Sequence, residues 1–297
     1  VNHTAAPRPP AQRLPAPRRI GLLLHPNRDQ SPGLAEEMAE QLRAWGAEPV
    51  SGYLEDERDR ARLLEQELLV VLGGDGTLLR VGHEAGPRGI PMLGVNLGRL
   101  GFLSEVQPAE WRSVLARVLA GDYWLEDRTM LRAQLQRGGE TFAEFHLLNE
   151  GVVGRGQLAR PVRLVTEVDG GRLATYVADG LIAATATGST AYALAVGGPV
   201  LPPGLKNLLL IPIAPHLSLE RAIVLAEGAR LRIEVHSDQP AVFSGDGQYE
   251  LTMHDGDAVL VETSPHVCRF VRVQDPMYFY HTLLRRMRRE GPNHDEP

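Results

Sequence analysis

Residues Leu68 to Thr77 read LLVVLGGDGT. Leu68 to Leu72 are apolar without alternation, the pattern of a strand buried on both faces of a parallel sheet. Gly73 and Gly74 stop that strand, and Thr77 to Ala85 then carries a helical pattern. Strand, glycine turn and helix in that order put the turn at the carboxyl end of a sheet, where open α/β domains bind ligands. Glycine lets a phosphate approach the backbone, and the free N–H groups of the helix start favour an anion. Asp75 among those glycines is electrostatically awkward beside phosphate. It can accept a proton from an attacking hydroxyl, or hold a metal ion that screens the phosphates. A plain glycine turn with a helix-capping aspartate explains GGDGT equally well.

On the N-terminal side, Arg19 to His25 (RIGLLLH) reads as a buried strand and Leu34, Met38, Leu42 and Trp45 as one face of a helix closed by Gly46. Pro49 to Leu54 is a second strand and Arg58 to Glu67 a short charged helix. On the C-terminal side, Ile90 to Asn96 is a strand and Pro108 to Leu119 a helix. Strands alternating with helices imply a parallel sheet, so residues 18–125 are expected to form an α/β domain.

The pattern changes after Trp124. Short alternating runs at 130–136, 141–147, 162–168, 173–177, 222–225, 230–235, 241–244, 249–253, 258–262 and 268–273 read as strands. Asp169-Gly170-Gly171 is a hairpin turn between two of them. One helix is expected at Ser189 to Val196, capped by Ser189 or Thr190. Residues 126–272 are therefore expected to be a mostly β, sandwich-like domain. Residues 273–297 hold a helix from Pro276 to Arg289, which returns to the N-terminal domain, and a frayed tail. Residues 1–17, rich in Pro, Ala and Arg, read as a disordered leader.

Composition narrows the function. The 297 residues are 43% hydrophobic and 23% charged, ordinary globular values. The net charge of −6 argues against nucleic-acid or anionic-membrane binding. No apolar run approaches the ~18 residues that cross a bilayer. Of 31 basic residues only Lys206 is lysine, so a side-chain cation on a phosphate is arginine unless it is Lys206. The single Cys268 excludes an intrachain disulfide, fits a cytoplasmic location, and lies in a strand pattern that suits a buried thiol. None of the ten histidines has zinc-site spacing. There is no Gly-x-x-x-x-Gly-Lys-Ser/Thr loop and no Gly-x-Ser-x-Gly elbow, which excludes P-loop ATPases and removes the nucleophile motif of acyl hydrolases.

Five further stretches follow GGDGT in order: Gly94 to Leu103 (GVNLGRLGFL), Leu148-Asn149-Glu150, Asp179-Gly180 with Thr187 to Tyr192 (TGSTAY), Ile213-Ala214-Pro215-His216, and Asp246-Gly247-Gln248. In this set and this order the sequence resembles the NAD kinase family from about residue 70 to residue 250. The resemblance implies phosphoryl transfer from ATP or polyphosphate, with Mg²⁺ or another divalent cation, to the adenosine 2′-hydroxyl of NAD. It implies Asp75 as the catalytic base, with Gly74 and Gly76 near the phosphates; Arg80, one turn into the helix after GGDGT, stands where it could reach a phosphate. Arg80 on a solvated helix face is an equal alternative. For the dinucleotide it implies Asn149, Glu150, Arg160, Asp179, Thr190, Ala191, Tyr192, Ala195, Ala214 and Gln248. Asn149 can pair with an adenine edge and Glu150 can accept from ribose hydroxyls, though both residue types are also common in turns. Asp179 would meet the nicotinamide end or simply make a turn with Gly180.

The resemblance further implies a homodimer or homotetramer. The chain departs from the family's usual residues at Val177 (commonly basic), Ala186 (usually Pro) and Ala195 (often Ser). Two other readings share GGDGT or the fold: a diacylglycerol-type lipid kinase, and a non-catalytic protein that senses dinucleotides.

Overall fold

A computed structural model describes residues 14–98, 101–156, 160–216 and 220–289. Most of the expected leader, the C-terminal tail, and Arg99 and Leu100 of the GVNLGRLGFL stretch lie outside the described residues. Leu14 and Pro15, assigned to the leader, are tied down: Leu14 N–H donates to the Gly121 carbonyl and Tyr123 Oη donates to the Pro15 carbonyl.

The chain divides into two compact units, residues 1–126 with 269–297, and residues 127–268. In the first, β1 (Arg19–Leu23), α1 (Gln30–Ala44), β2 (Glu48–Gly52), α2 (Glu57–Leu63), β3 (Leu68–Gly73), α3 (Asp75–Arg88), β4 (Met92–Asn96) and α4 (Trp111–Leu119) alternate. The strands run in the order β2-β1-β3-β4, all parallel. Every residue of β3 is buried, as its unbroken apolar sequence requires. Leu68, Val70 and Leu72 of β3 join Ile20 and Leu22 of β1, Met38 and Leu42 of α1, and Leu115 and Val118 of α4 in one core. Each such side chain contributes roughly 1.5–3 kcal/mol by leaving water. Trp45, expected on the buried face of α1, is 39% exposed. It stands one residue past the helix, where the chain turns at Gly46 with φ of 83°. α3 runs past its expected end at Ala85, carries Pro87 in its last turn, and stops at left-handed Gly89.

In the second unit the strands are β5 (Trp124–Arg137, beginning in the first unit), β6 (Glu140–Leu147), β7 (Glu150–Arg155), β8 (Val162–Val168), β9 (Gly171–Ala178) and β10 (Gly180–Ala184). After the one-turn helix α5 (Tyr192–Ala195) come β11 (Leu208–Ile213), β12 (Ile223–Leu225), β13 (Leu231–His236), β14 (Ala241–Gly245), β15 (Tyr249–Met253) and β16 (Ala258–Arg272). β16 ends in the first unit, to which α6 (Tyr278–Arg289) also belongs. One sheet runs β12-β11-β10-β7-β14-β15 and is antiparallel throughout. Facing strands supply Leu131, Leu164 and Ile233, which pack with Val153, Leu181, Leu210 and Phe243 of that sheet in a single core, the arrangement of a sandwich.

Three strands at the centre of the sandwich were not expected from the sequence: β7, β10 and β11. β10 and β11 are apolar on both faces, GLIAA and LLLIPI, so they lack the alternation that marks a half-buried strand. The two strands read at 258–262 and 268–273 are one continuous strand, β16.

Candidate active site

In the first unit the chain order reverses between β1 and β3, since β2 lies on one side of β1 and β3 on the other. A crevice forms at such a switch point, outside the carboxyl ends of the strands. The segment after β1 brings His25 and Arg28 to it, and the turn after β3 brings Gly74 and Asp75. The His25 imidazole is held below its ordinary pKa by burial and then by the nearby Arg80 and Arg28 guanidinium groups.

Asp75 does not cap its own helix. Gly74 is the cap residue, and the Asp75 carboxylate reaches the segment that follows β4. Oδ2 accepts from Phe102 N–H at 2.7 Å, and Oδ1 accepts from Leu103 N–H at 3.2 Å and Ser104 N–H at 3.4 Å. A carboxylate has about four acceptor positions, so among the described residues roughly one, on Oδ2, is left open. Gly101 permits this approach, because a Cβ there would lie 1.8 Å from Oδ1.

Gly74 and Gly76 are demanded by neither conformation nor packing. Neither has positive φ, and a Cβ on either would meet nothing within 4 Å. What remains is open space above the backbone, where a ligand can approach. Arg80 pairs with Glu55 at 3.0 Å. Arg28, which no sequence motif singles out, has its Nη2 beside Gly98, 3.4 Å from where a Cβ would stand.

The residues foreseen in the second unit fall into two groups at opposite ends of β10. Five strand residues separate them, roughly 17 Å of extended chain. At one end, Asp246 opens a tight turn with φ of 50°, followed by Gly247 at 63° and the exposed Gln248. Its carboxylate accepts the N–H groups of Leu148, Asn149 and Glu150 at 2.7, 2.8 and 2.8 Å. Thr185 stitches the next loop to the same turn: its N–H donates to the Asn149 carbonyl and its hydroxyl to the Leu148 carbonyl. Gly188 packs so closely on Asn149 that a Cβ would lie 2.2 Å from the Asn149 carbonyl oxygen. Asn149, Glu150, Thr190, Ala191 and Tyr192 are thereby gathered, with Tyr192 exposed and Asn149 half-buried. Ala195 is exposed on α5 nearby in sequence.

Glu150 is buried with its Oε2 unpartnered. Burial first, and then repulsion by Asp246, raises its pKa to about 8, against the pull of the Tyr192 backbone N–H. The carboxyl therefore holds its proton to higher pH than an exposed glutamate does, and in the protonated form it can donate as well as accept a hydrogen bond.

The single helix expected over 189–196 is instead a 3-10 turn at Gly188–Thr190 and the short α5, broken at Ala191 with φ −104° and ψ −124°. Neither Ser189 nor Thr190 caps it. Ser189 Oγ donates to the Ala186 carbonyl and accepts from Leu201 N–H, while Thr190 Oγ1 donates to the Thr187 carbonyl. These hydroxyls serve the turn itself. Arg128, fully buried, donates to Thr187 Oγ1 at 3.3 Å. It went unnoticed in the sequence because a buried arginine on a strand leaves no local signature.

At the other end of β10, Asp179 pairs with Arg155 at 3.0 Å. Ala214 follows β11 in the left-handed region with φ of 44°, a conformation that costs an alanine ~1–2 kcal/mol and is held only by its surroundings. Exposed Arg160 lines a cavity of about 460 Å³ with Arg163, Val177 and His236. Cys268 is fully buried, and burial pushes its thiol up to about 12. Among the described residues, no group of three or more His, Cys, Asp or Glu could hold a metal ion by itself, and no helix is long and apolar enough to cross a membrane.

Comparison with known proteins bears on both units. A family model for the ATP-NAD kinase N-terminal domain matches residues 53–123, and one for the ATP-NAD kinase C-terminal domain matches residues 148–273. The chain is 40% identical to an NAD kinase of Chloroflexus aurantiacus over 272 residues, which is 91% of this chain and 99% of the relative. It is 42% identical to an NAD kinase of Geotalea daltonii over 256 residues, 83% of this chain and 90% of the relative. Among solved structures, the fold is similar to that of yeast NADH kinase complexed with NADH (TM-score 0.81, 24% identity, 95% of this chain and 91% of that one). It is similar also to an NAD kinase from Archaeoglobus fulgidus in complex with ATP (TM-score 0.75, 26% identity, 92% and 100%).

Proposed function

This chain belongs to the NAD kinase family, and on that premise we propose how its own residues carry out the transfer. The protein is a phosphotransferase with an alcohol as acceptor, converting NAD to NADP by phosphorylating the adenosine 2′-hydroxyl.

Asp75 is the base in this proposal. Its open Oδ2 position takes the proton of the 2′-hydroxyl as that oxygen attacks the terminal phosphorus, and the nucleoside diphosphate leaves. The observation that carries this is the clamp of three backbone N–H groups on the Asp75 carboxylate. It fixes the side chain while leaving one acceptor position free. The open space at Gly74 and Gly76 supports the approach of donor phosphates there, with Arg28 and Arg80 supplying positive charge. Most of the acceleration then comes from alignment and charge neutralisation.

ATP is the donor we propose, and polyphosphate remains the other candidate for a donor panel. A divalent cation, Mg²⁺ in the first instance, would enter on the donor's phosphates, because Mg²⁺ takes one or two carboxylates plus substrate oxygens. Bound there, it would neutralise charge on the group in transfer. Asn149, Glu150, Thr190, Ala191 and Tyr192 would receive the adenosine half of NAD. Their support is the stitched loop at the Glu150 end of β10 and the unpartnered Glu150 Oε2. Asp179, Arg160 and Ala214, at the other end of β10, would serve the nicotinamide half. A homodimer or homotetramer in the cytoplasm is the proposed setting, resting on the family resemblance and the lone buried thiol.

The decisive assay compares wild type with Asp75→Asn in NAD, ATP and Mg²⁺. NADP formation should fall ~10²–10⁴-fold, the usual worth of a positioned base, while NAD still binds. Wild-type turnover in that variant would end the assignment.

A further inference from the structure

The segment that clamps Asp75 is itself held by a buried ionic cluster in the same unit. Arg272, the last residue of β16, is completely buried. Its Nη1 donates to the Leu103 carbonyl at 2.7 Å and its Nε to Glu126 Oε2 at 2.9 Å. Tyr278 Oη on α6 donates to the same Glu126 oxygen at 2.8 Å, and the guanidinium lies over the Tyr278 ring, 4.6 Å from its centroid. Glu105 Oε2 stands 3.9 Å from Nη1, and Glu105 Oε1 accepts from Val273 N–H at 2.7 Å.

The Leu103 carbonyl and the Ser104 N–H are two ends of one peptide group. That group is planar and trans, so the oxygen and the hydrogen point in opposite directions. Arg272 grips the oxygen, and the hydrogen is aimed at Asp75 Oδ1. Fixing one end fixes the other, and a cation on the carbonyl also polarises the amide toward its acceptor. Stability alone does not call for an arginine here, because a buried ion pair can often be replaced by well-packed apolar side chains at no cost. Only the planar fork of arginine serves a carboxylate and a carbonyl together in fixed directions.

We propose that Arg272 is a positioning residue for Asp75, holding through the Leu103–Ser104 peptide the turn whose N–H groups orient the carboxylate. The inference rests on the assignment of Asp75 as base, and the experiment separates the two.

Full-length Arg272→Lys retains the charge and loses the fork. Amide hydrogen exchange at residues 102–104 should accelerate, and kcat should fall, each by about 10-fold or more, the worth of one hydrogen bond to a charged group. KM for NAD should stay within about twofold, because the interaction lost acts on the chemical step. Adding Arg272→Lys to Asp75→Asn should cost no further rate, since the two act as one unit. If thermal melting shows Arg272→Lys unfolded, the pair Arg272→Met with Glu126→Gln, which leaves neither of those two charges without its partner, is judged by the same criteria. Unchanged exchange at 102–104, or an additive loss on the Asp75→Asn background, overturns the proposal. Faster exchange with undiminished kcat overturns it too, whereas wild-type turnover in Asp75→Asn alone overturns instead the role of Asp75.

Discussion

Gly101 lies directly against Asp75: a Cβ at residue 101 would stand 1.8 Å from the carboxylate Oδ1. The side chain in the GGDGT turn and the backbone after β4 thus touch without room for a methyl group. Gly101→Ala must displace one or the other, at a stability cost of about 1–3 kcal/mol for overpacking. With Asp75 as the proposed base, we expect kcat to drop at least ~10-fold while the protein still folds, since misplacing a base costs more than its packing strain. Steady-state kinetics beside a melting curve checks this, and a variant with normal kcat would show that the close approach is irrelevant to chemistry.

Gly76→Ala should behave in the opposite way on stability. Gly76 is in the first turn of α3 with open space around it. Alanine is the better helix former by ~0.8–1 kcal/mol. The expected outcome is a protein as stable as wild type or more so, with a raised KM for the phosphoryl donor because the methyl group occupies the approach to the backbone. An unchanged KM would mean that the space is not used by phosphate.

Arg28→Ala should raise KM for the donor several-fold and leave KM for NAD nearly unchanged. Arg28 and Arg80 both lie close enough to His25 to lower its pKa, but Arg80 is already engaged by Glu55. Titrations with ATP and with NAD, run separately, distinguish the two substrates, and an effect confined to NAD would contradict the placement.

Glu150 makes stability depend on pH in a defined direction. Unfolded, its carboxyl ionises near 4.5, whereas folded it holds its proton to about 8. Between those values the folded state binds more protons, so rising pH destabilises the fold across that window, by on the order of a few kcal/mol at its upper end. Glu150→Gln removes the titration. The difference in melting temperature between Glu150→Gln and wild type should therefore grow from pH 5 to pH 8, and a constant difference would refute the shift. In Asp246→Asn the Glu150 contribution should move to lower pH, because one of its two causes is the Asp246 charge.

Cys268 should be silent toward thiol reagents in the native protein, being buried and with its thiol pushed up to about 12. Labelling should appear only on unfolding, one thiol per chain. Rapid native labelling would mean that β16 opens locally.

Much of the first unit was legible because its signals are local. LLVVL followed by two glycines predicts a buried strand and a turn whatever lies elsewhere, and the helices beside it show their apolar faces. The sandwich was less legible at its centre. β10 and β11 are covered on both faces, and the apolar character that buries them erases the alternation that would reveal them as strands. Ser189 and Thr190 looked like helix caps, but the chain breaks at Ala191 and their hydroxyls close the preceding turn.

The sequence by itself determined the family and the order of strands and helices in the first unit, because those depend on residue type and spacing along the chain. Tertiary structure alone decided where the Asp75 carboxylate points, that Asp246 holds the Asn149 turn, that Glu150 keeps its proton, and that Arg272 grips the Leu103 carbonyl. The partners in three of these four are backbone N–H and carbonyl groups. Every residue carries them and no pattern of side chains announces which will be used. The fourth is a matter of burial and a neighbouring charge brought close by the fold.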